Sequence, residues 1–189
     1  MILFINACVR TESRTKRLAD RLLAGLGDEV LEVRPAELEL PPFDEAYLRR
    51  RDRLLAAGAF GDPIFDLARQ FAAADTLVIA APYWDLSFPA ALKQYLERVN
   101  CVGLSFYYTP EGQPKTLCRA KQLWYVTTAG GPILSDAPGF GYVRLLAETF
   151  YEIRDLRQIK AENLDLVGAD VPAILEEAER AIDRELERL

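Results

Sequence analysis

Residues 76–89 read TLVIAAPYWDLSFP, and this stretch decides the fold. Its first six residues, 76–81, form the most apolar short run in the chain and predict a buried strand at the centre of a sheet. Pro82 marks the end of that strand, and Pro89 is suited to open a helix. A strand that passes through a short loop into a helix is the building unit of parallel α/β sheets.

Working outward, short apolar runs predict four further strands, at residues 2–5, 30–33, 122–127 and 158–166. Amphipathic stretches predict the helices between them, at residues 14–26, 63–74, 89–99, 140–153 and 172–189. Ser13 is the expected N-cap of the first helix, and Gly25 and Gly27 its stop. Residues 36–62 look irregular, and residues 106–117 look like a small excursion. Five strands alternating with five helices predict an α/β fold with a doubly wound parallel sheet.

Composition limits the chemistry. The chain has 189 residues, which suits one domain over residues 1–189, and it carries 23 Lys and Arg against 29 Asp and Glu, for a net charge of −6. This acidic balance argues against a partnership with nucleic acid or anionic membranes, because both need a broad basic face. The chain has no histidine. That excludes Ser-His-Asp and Cys-His nucleophiles, His-Cys zinc sites and an imidazole base.

The cysteines and the opening segment indicate the compartment. Cys8, Cys101 and Cys118 are odd in number and form no CxxC pair, which argues against a disulfide framework or a structural zinc and fits a reducing cytosol. The apolar start is too short for a signal peptide and lacks a basic segment before it. No apolar run reaches the length of about 18 residues that a membrane span needs. We therefore expect a soluble, cytoplasmic protein.

The loop after the first strand, residues 6–16, is a candidate phosphate site. It places hydroxyls and cations at the start of a helix, namely Arg10, Ser13, Arg14, Thr15 and Lys16. A helix N-terminus presents free N–H groups and a positive dipole, which suit a phosphate. The loop has no glycine, so it is neither a GxGxxG nor a GxxxxGK[ST] motif. An ordinary capped helix with exposed cations would contain the same residues.

Two other loops at the same sheet edge complete the pattern. Tyr83 and Trp84 are neighbouring aromatics, useful for covering a flat ring and equally suited to filling a core or an interface. Gly130 and Gly131 allow a ligand close to the backbone, or simply make a turn. Together with the phosphate loop, they indicate a flat ring on a phosphate tail. Flavin mononucleotide (FMN) has this form and binds where strand order reverses in sheets of order 2-1-3-4-5.

With these three loops, the chain resembles the flavodoxin-like NAD(P)H quinone reductase and FMN-dependent azoreductase family. Three segments carry the resemblance: NACVRTESRT at 6–15, APYWDLSFPAALKQYLERV at 81–99 and TTAGGP at 127–132. The resemblance implies a five-stranded parallel sheet of order 2-1-3-4-5 with helices on both faces. It also implies FMN as cofactor, NADH or NADPH as electron donor, a quinone or azo acceptor, and a homodimer with the flavin at the interface.

The resemblance also assigns roles to individual positions. It implies that the FMN phosphate is held by Ser13, Arg14 and Thr15. It implies that the isoalloxazine edge is lined by Pro82, Tyr83, Trp84, Asp85 and Leu86. It implies that the pyrimidine end is approached by Thr128, Ala129, Gly130 and Gly131.

The sequence departs from the family at two places. Cys8, Val9 and Arg10 stand where the family usually has a serine and a proline, and the first loop lacks the usual glycine. Some quinone reductases of the family use a Tyr and a His beside the flavin, and this chain has no histidine. Tyr142 or backbone N–H groups are the candidates to replace that pair.

The resulting hypothesis is an enzyme that passes hydride from NAD(P)H through FMN to a quinone, azo compound or similar electrophile. This chemistry needs no histidine because the flavin carries it. The alternative is a non-enzymatic electron carrier or redox sensor that exchanges electrons with partner proteins, which an acidic surface would suit. A signalling receiver is disfavoured, because Asn6 and Ala7 stand where its carboxylates would be needed.

Overall fold

The computed structural model of the protein describes residues 1–189. It contains seven strands: β1 (Ile2–Asn6), β2 (Val30–Val33), β3 (Thr76–Ala80), β4 (Phe106–Tyr108), β5 (Pro114–Thr116), β6 (Gln122–Thr128) and β7 (Asp155–Ala161). Five of them form one parallel sheet in the order β2-β1-β3-β6-β7. Counted within that sheet, this is the predicted order 2-1-3-4-5, so the doubly wound α/β fold is confirmed.

Six helices surround the sheet: α1 (Arg14–Leu26), α2 (Glu45–Ala56), α3 (Asp66–Ala73), α4 (Ala90–Val99), α5 (Phe140–Phe150) and α6 (Val171–Leu186). Apolar residues of α1 and α6 pack on one face of the sheet. Those of α3, α4 and α5 pack on the other face. Helices therefore cover both faces, as expected. None of the helices is both long and apolar enough to cross a membrane.

The central strands are apolar along their whole length because both sides are covered. Along β1, Ile2 and Phe4 belong to the core under α1 and α6, whereas Leu3 and Ile5 belong to the core on the opposite face. β3 pairs with β1 on one side and with β6 on the other. This confirms that the run at 76–81 is the centre of the sheet. A strand buried on both faces needs no polar alternation.

The first helix is capped as the sequence predicts. The Lys16 N–H donates to the Ser13 hydroxyl at 3.2 Å. Gly27 ends the helix with φ +66°, in the left-handed region that favours glycine. Gly25, expected to help stop the helix, lies inside it instead. A side chain there would collide with Leu186 of α6, with Cβ only 2.2 Å from the Leu186 Cδ1, so Gly25 serves close helix packing.

Two expectations for the less regular parts of the chain need correction, and the structure gives a third its form. Residues 36–62 contain α2, so the helices number six rather than five. α2 follows its N-cap Asp44 and has no buried residue, because Leu54 and Leu55 are only partly buried against the core, and its apolar pattern is therefore weak. The fifth sheet strand spans 155–161, not 158–166, because Arg157 and its neighbouring charges interrupt the apolar alternation. The excursion at 106–117 is an antiparallel hairpin of β4 and β5.

Candidate functional site

The loops that follow β1, β3, β6 and β7 meet at the carboxyl edge of the sheet and enclose a cavity of about 360 Å³. Ten residues singled out from the sequence line it: Arg10, Ser13, Arg14, Thr15, Pro82, Tyr83, Trp84, Thr128, Ala129 and Gly130. A parallel sheet brings the carboxyl ends of its strands to one edge, which is why residues so far apart in the chain converge here. Three predicted positions, Asp85, Leu86 and Gly131, lie in these loops but do not line the cavity.

The polar end of the cavity is the start of α1. The amides of Arg14 and Thr15 lie in the first turn of the helix and so have no acceptor within it. Thr15 and Thr128 are both buried, and their hydroxyl oxygens lie 2.6 Å apart. This hydrogen bond ties the first turn of α1 to the end of β6. It fixes the free amides relative to the sheet.

Four charged side chains line the cavity: Arg10, Glu12, Arg14 and Asp165. Arg14 Nη1 donates to Asp165 Oδ1 at 2.8 Å and to the carbonyl of Leu164 at 3.3 Å. Neither Arg10 nor Glu12 takes part in an ion pair, so Arg10 is a free cation at the site. Lys16, also in the first loop, turns away and pairs with Asp20 at 2.7 Å.

The aromatic loop after β3 is anchored to the sheet and then turns sharply. The Tyr83 N–H donates to the Thr128 carbonyl at 2.9 Å. Trp84 and Ser87 exchange two backbone hydrogen bonds of 2.9 Å each. The two residues between them, Asp85 and Leu86, have φ values of +49° and +68°. This is the geometry of a type I′ turn, made here without glycine.

The aromatic side chains of Tyr83 and Trp84 differ in their surroundings. The Tyr83 hydroxyl is buried and has no hydrogen-bond partner. Trp84 is 40% exposed at the cavity mouth. The Ser87 hydroxyl donates to the carbonyl of Pro138, which joins the turn to the loop before α5. The turn is therefore attached both to the sheet and to the loop before α5, while the Leu86 side chain is exposed to solvent.

The two neighbouring glycines, Gly130 and Gly131, have different surroundings. A Cβ on Gly130 would lie 2.4 Å from Asp165 Oδ2, so only glycine lets the carboxylate rest against this backbone. The Asp165 N–H also donates to the Gly130 carbonyl at 2.9 Å. A Cβ on Gly131 would meet no atom within 4 Å. A side chain of the protein thus rests against Gly130, whereas the space beside Gly131 is open.

Tyr142, the candidate to replace the missing histidine, is not brought to the cavity. It lies on α5, where its ring centroid is 5.8 Å from that of Phe88 and 5.7 Å from Lys93 Nζ. Cys8, near the first loop, is buried, and burial raises the pKa of its thiol. It therefore stays protonated at neutral pH and acts as a small apolar residue beside the site.

Two residues of the cavity wall, Leu164 and Asp165, were not predicted. Both follow β7, and the fifth strand was expected to run through them. A strand ending at Ala161 would have placed them in a loop at the ligand edge, together with the other three loops. A second groove, of about 590 Å³, lies between α2, α3 and α4, and none of the residues singled out from the sequence lines it.

The arrangement fits a flat ring with a phosphate tail. Free helix amides and the unpaired Arg10 form an anion-binding end, and Tyr83 and Trp84 form an aromatic wall. Gly130 lies between them, with the Asp165 carboxylate against its backbone. No histidine, cysteine or lysine lines the cavity.

Comparison with known proteins agrees with this geometry. A family model described as the flavodoxin-like fold matches residues 1–186. A protein of Clostridium beijerinckii, named FMN-dependent NADH:quinone oxidoreductase, is 36% identical over 191 residues, covering 94% of this chain and 93% of its own. Two solved structures from Bacillus anthracis share the fold. The azoreductase of strain Sterne superimposes with a TM-score of 0.83 at 22% identity, covering 100% of this chain and 99% of its own. The FMN complex of an FMN-dependent NADH-azoreductase, strain Ames Ancestor, gives 0.80 at 19%, covering 99% and 97%.

Proposed function

Because the chain belongs to the flavodoxin-like fold family, we propose that it is an FMN-dependent oxidoreductase that uses NADH or NADPH to reduce quinones, azo compounds or similar electrophiles. The observation that carries the proposal is the convergence of a helix N-terminus, an aromatic loop and a close-approach glycine on one cavity. That cavity lies at the carboxyl edge, where β1 and β3 diverge into loops on opposite faces of the sheet. The relative that is 36% identical to this chain is named FMN-dependent NADH:quinone oxidoreductase, which supports the proposal.

The residues divide the work of binding FMN. Ser13, Arg14 and Thr15 hold the phosphate at the start of α1, with Arg10 as an additional cation. The backbone of Pro82 and the side chains of Tyr83 and Trp84 would hold the ring. Thr128, Ala129 and Gly130 close the other side, and Asp85, Leu86 and Gly131 support these loops from outside the cavity.

FMN, when bound, supplies the redox chemistry, accepting hydride from the nicotinamide and giving it to the acceptor. The protein's part is to bind and orient. The Tyr83 N–H bond to Thr128 fixes the aromatic loop, and the Thr15–Thr128 bond fixes the phosphate end relative to it. The rigid turn at Asp85 and Leu86 keeps Trp84 at the mouth, where it limits water access to the ring. None of these tasks requires a histidine.

The test is spectroscopic and kinetic. The purified protein should bind FMN, show a flavin absorbance spectrum, and oxidise NADH steadily when a small quinone is the only acceptor. A protein that stays colourless after incubation with FMN would refute the proposal. A protein that binds FMN yet turns over only with a separate reductase would instead be an electron carrier, the alternative that the net charge of −6 supports.

We also propose that two copies of the chain associate through the cavity edge. Large apolar side chains are exposed on the loops around the mouth: Val9, Trp84, Leu86, Leu134, Leu166 and Val167. A monomer rarely leaves so many apolar side chains clustered at one edge in water. A second copy would cover them and complete the walls of both cavities. Light scattering should give twice the mass of 21.3 kDa, and a charge at Leu134 should reduce it to one chain.

The same proposal places the protein in the cytoplasm as one domain. Its three cysteines are all unpaired, as a reducing compartment favours. The family match over residues 1–186 supports one domain for the whole chain. Fractionation of cells, with the protein followed by antibody, would test the location.

A further inference from the structure

One ion pair crosses the phosphate end of the cavity. Arg14 projects from the first turn of α1, and Asp165 projects from the loop after β7, 151 residues further along the chain. Their side chains meet at 2.8 Å, and both line the cavity. Asp165 has no other cation as partner, and Arg14 has no other acid. The guanidinium that should neutralise a ligand phosphate is therefore already neutralised by a carboxylate of the protein.

The ion pair between Arg14 and Asp165 is weak enough for a ligand to break. The side chains are 42% exposed for Arg14 and 71% exposed for Asp165, so water and salt screen their attraction. The backbone of Asp165 is fixed by its N–H bond to the Gly130 carbonyl at 2.9 Å. A rotation of the Asp165 side chain therefore breaks the ion pair, and Arg14 then keeps only its longer hydrogen bond of 3.3 Å to the Leu164 carbonyl. Gly130 has no Cβ, and this is what allows the carboxylate to rest there while paired.

We propose that Asp165 sets the selectivity of the site for a phosphorylated flavin over a neutral one, by competing with the ligand phosphate for Arg14. The inference rests on the proposed function, since it concerns the same cavity. An anionic tail must displace the Asp165 carboxylate and then lies close to it. Both effects lower the affinity for a phosphate dianion, whereas a flavin without phosphate leaves the pair intact. Asp165 is thus a specificity-determining residue that acts through Arg14.

The rest of the charge around the cavity supports this role. Arg10 is unpaired and remains available to attract the phosphate, so binding does not depend on Arg14 alone. Glu12 is also unpaired and repels phosphate whether Arg14 is free or held. Asp165 is the one acid that changes partner when an anion arrives. Its removal should therefore alter the preference between flavins rather than binding of the ring.

The experiment compares FMN with riboflavin, which has the same ring and no phosphate. Dissociation constants are measured by quenching of flavin fluorescence for the unaltered protein, Asp165→Asn and Asp165→Ser. Serine is included because asparagine can still accept a hydrogen bond from Arg14. The matched control is Asp20→Asn, which removes the same charge from an exposed ion pair on α1, with Lys16 at 2.7 Å, away from the cavity.

We expect both Asp165 variants to bind FMN about three- to tenfold more tightly at low salt and riboflavin within about twofold of the unaltered protein. The gain should shrink in about 1 M salt, where the Debye length falls to about 3 Å. Asp20→Asn should change neither ligand by more than about twofold. FMN affinity that falls or stays constant in both Asp165 variants, or an equal change for riboflavin, would overturn the inference. Failure of the unaltered protein to bind FMN would overturn the proposed function itself.

Discussion

The hydroxyl groups of Thr15 and Thr128 share a buried hydrogen bond of 2.6 Å that joins the first turn of α1 to the last residue of β6. These residues are 113 positions apart in the chain and sit on two of the four loops that form the cavity. Both are small β-branched residues in places where a larger side chain would enter the ligand space. The bond therefore sets the distance between the phosphate end and the ring end of the site.

This bond can be removed without a change of shape. Thr15→Val leaves the Thr128 hydroxyl buried without a partner and should destabilise the protein by about 1–3 kcal/mol. Thr128→Val should do the same. The double variant removes both hydroxyls, so its loss should be smaller than the sum of the two single losses. Urea unfolding of the four proteins gives the coupling. Additive losses would show that the two hydroxyls do not interact.

Arg10 is the unpaired cation of the cavity, and its removal should weaken phosphate binding specifically. Arg10→Ala should raise the dissociation constant of FMN about five- to tenfold and leave riboflavin unchanged, since one partly screened charge contact is lost. Arg17→Ala is the matched control, because Arg17 is on α1 but pairs with Glu179 at 2.7 Å. An equal loss of FMN and riboflavin binding would show that Arg10 supports the ring or the fold instead.

The turn at Asp85 and Leu86 places two residues with side chains in the left-handed region. Leu86, with φ +68°, should tolerate glycine well, and Leu86→Gly should stabilise the protein by about 0.5–1 kcal/mol because the strain of a Cβ at positive φ is removed. Leu134 is also an exposed leucine, 77% against 58% for Leu86, and has no positive φ. Leu134→Gly should instead be neutral or destabilising. Thermal unfolding checks both, and equal shifts would contradict the role of backbone strain.

The fold could be predicted from the sequence where burial leaves a strong pattern. The run at 76–81 is apolar throughout because β3 lies between two strands and under helices on both faces. Where burial is one-sided or absent, the pattern fails. α2 exposes arginines on a helix with no buried residue, so its turn-rich surroundings dominated the prediction. β7 is an edge strand in which charged residues interrupt the apolar pattern. Its predicted start and end therefore differ from the observed ones by several residues.

The site could be predicted to the extent that its loops could be placed. Residues after β1, β3 and β6 were assigned to one sheet edge because the ends of those strands were clear. Asp165 could not be assigned, since the misplaced end of β7 put it inside a strand. The ion pair with Arg14 also depends on a contact between loops 151 residues apart, which no local pattern encodes. Tyr142 is suggested by the family resemblance, and the packing of α5 places its ring against Phe88 instead.

Stability should be lost on the alkaline side through buried thiols and phenols. Burial raises the pKa of Cys118 from its ordinary 9.0 to about 12, and raises that of Tyr95 and Tyr151 as well. An acid that ionises more easily in the unfolded chain favours unfolding as pH rises. The contribution of Cys118 is therefore fully present below pH 9.0 and is lost between 9.0 and about 12. Without histidine, no such loss should occur near pH 6.5, the approximate reference pKa of imidazole.

Cys118→Ser and Cys118→Ala test this assignment, since neither side chain ionises in that range. Each variant should lose some stability at pH 7, where a buried thiol has been replaced, but its free energy of unfolding should fall less steeply from pH 8.5 to 10.5 than that of the unaltered protein. The residual slope belongs to the other buried acids, among them Cys8 and Cys101, whose pKa values are also raised by burial. Urea unfolding at a series of pH values measures the slopes. Identical slopes in all three proteins would mean that the Cys118 thiol ionises in the folded protein as easily as in the unfolded chain.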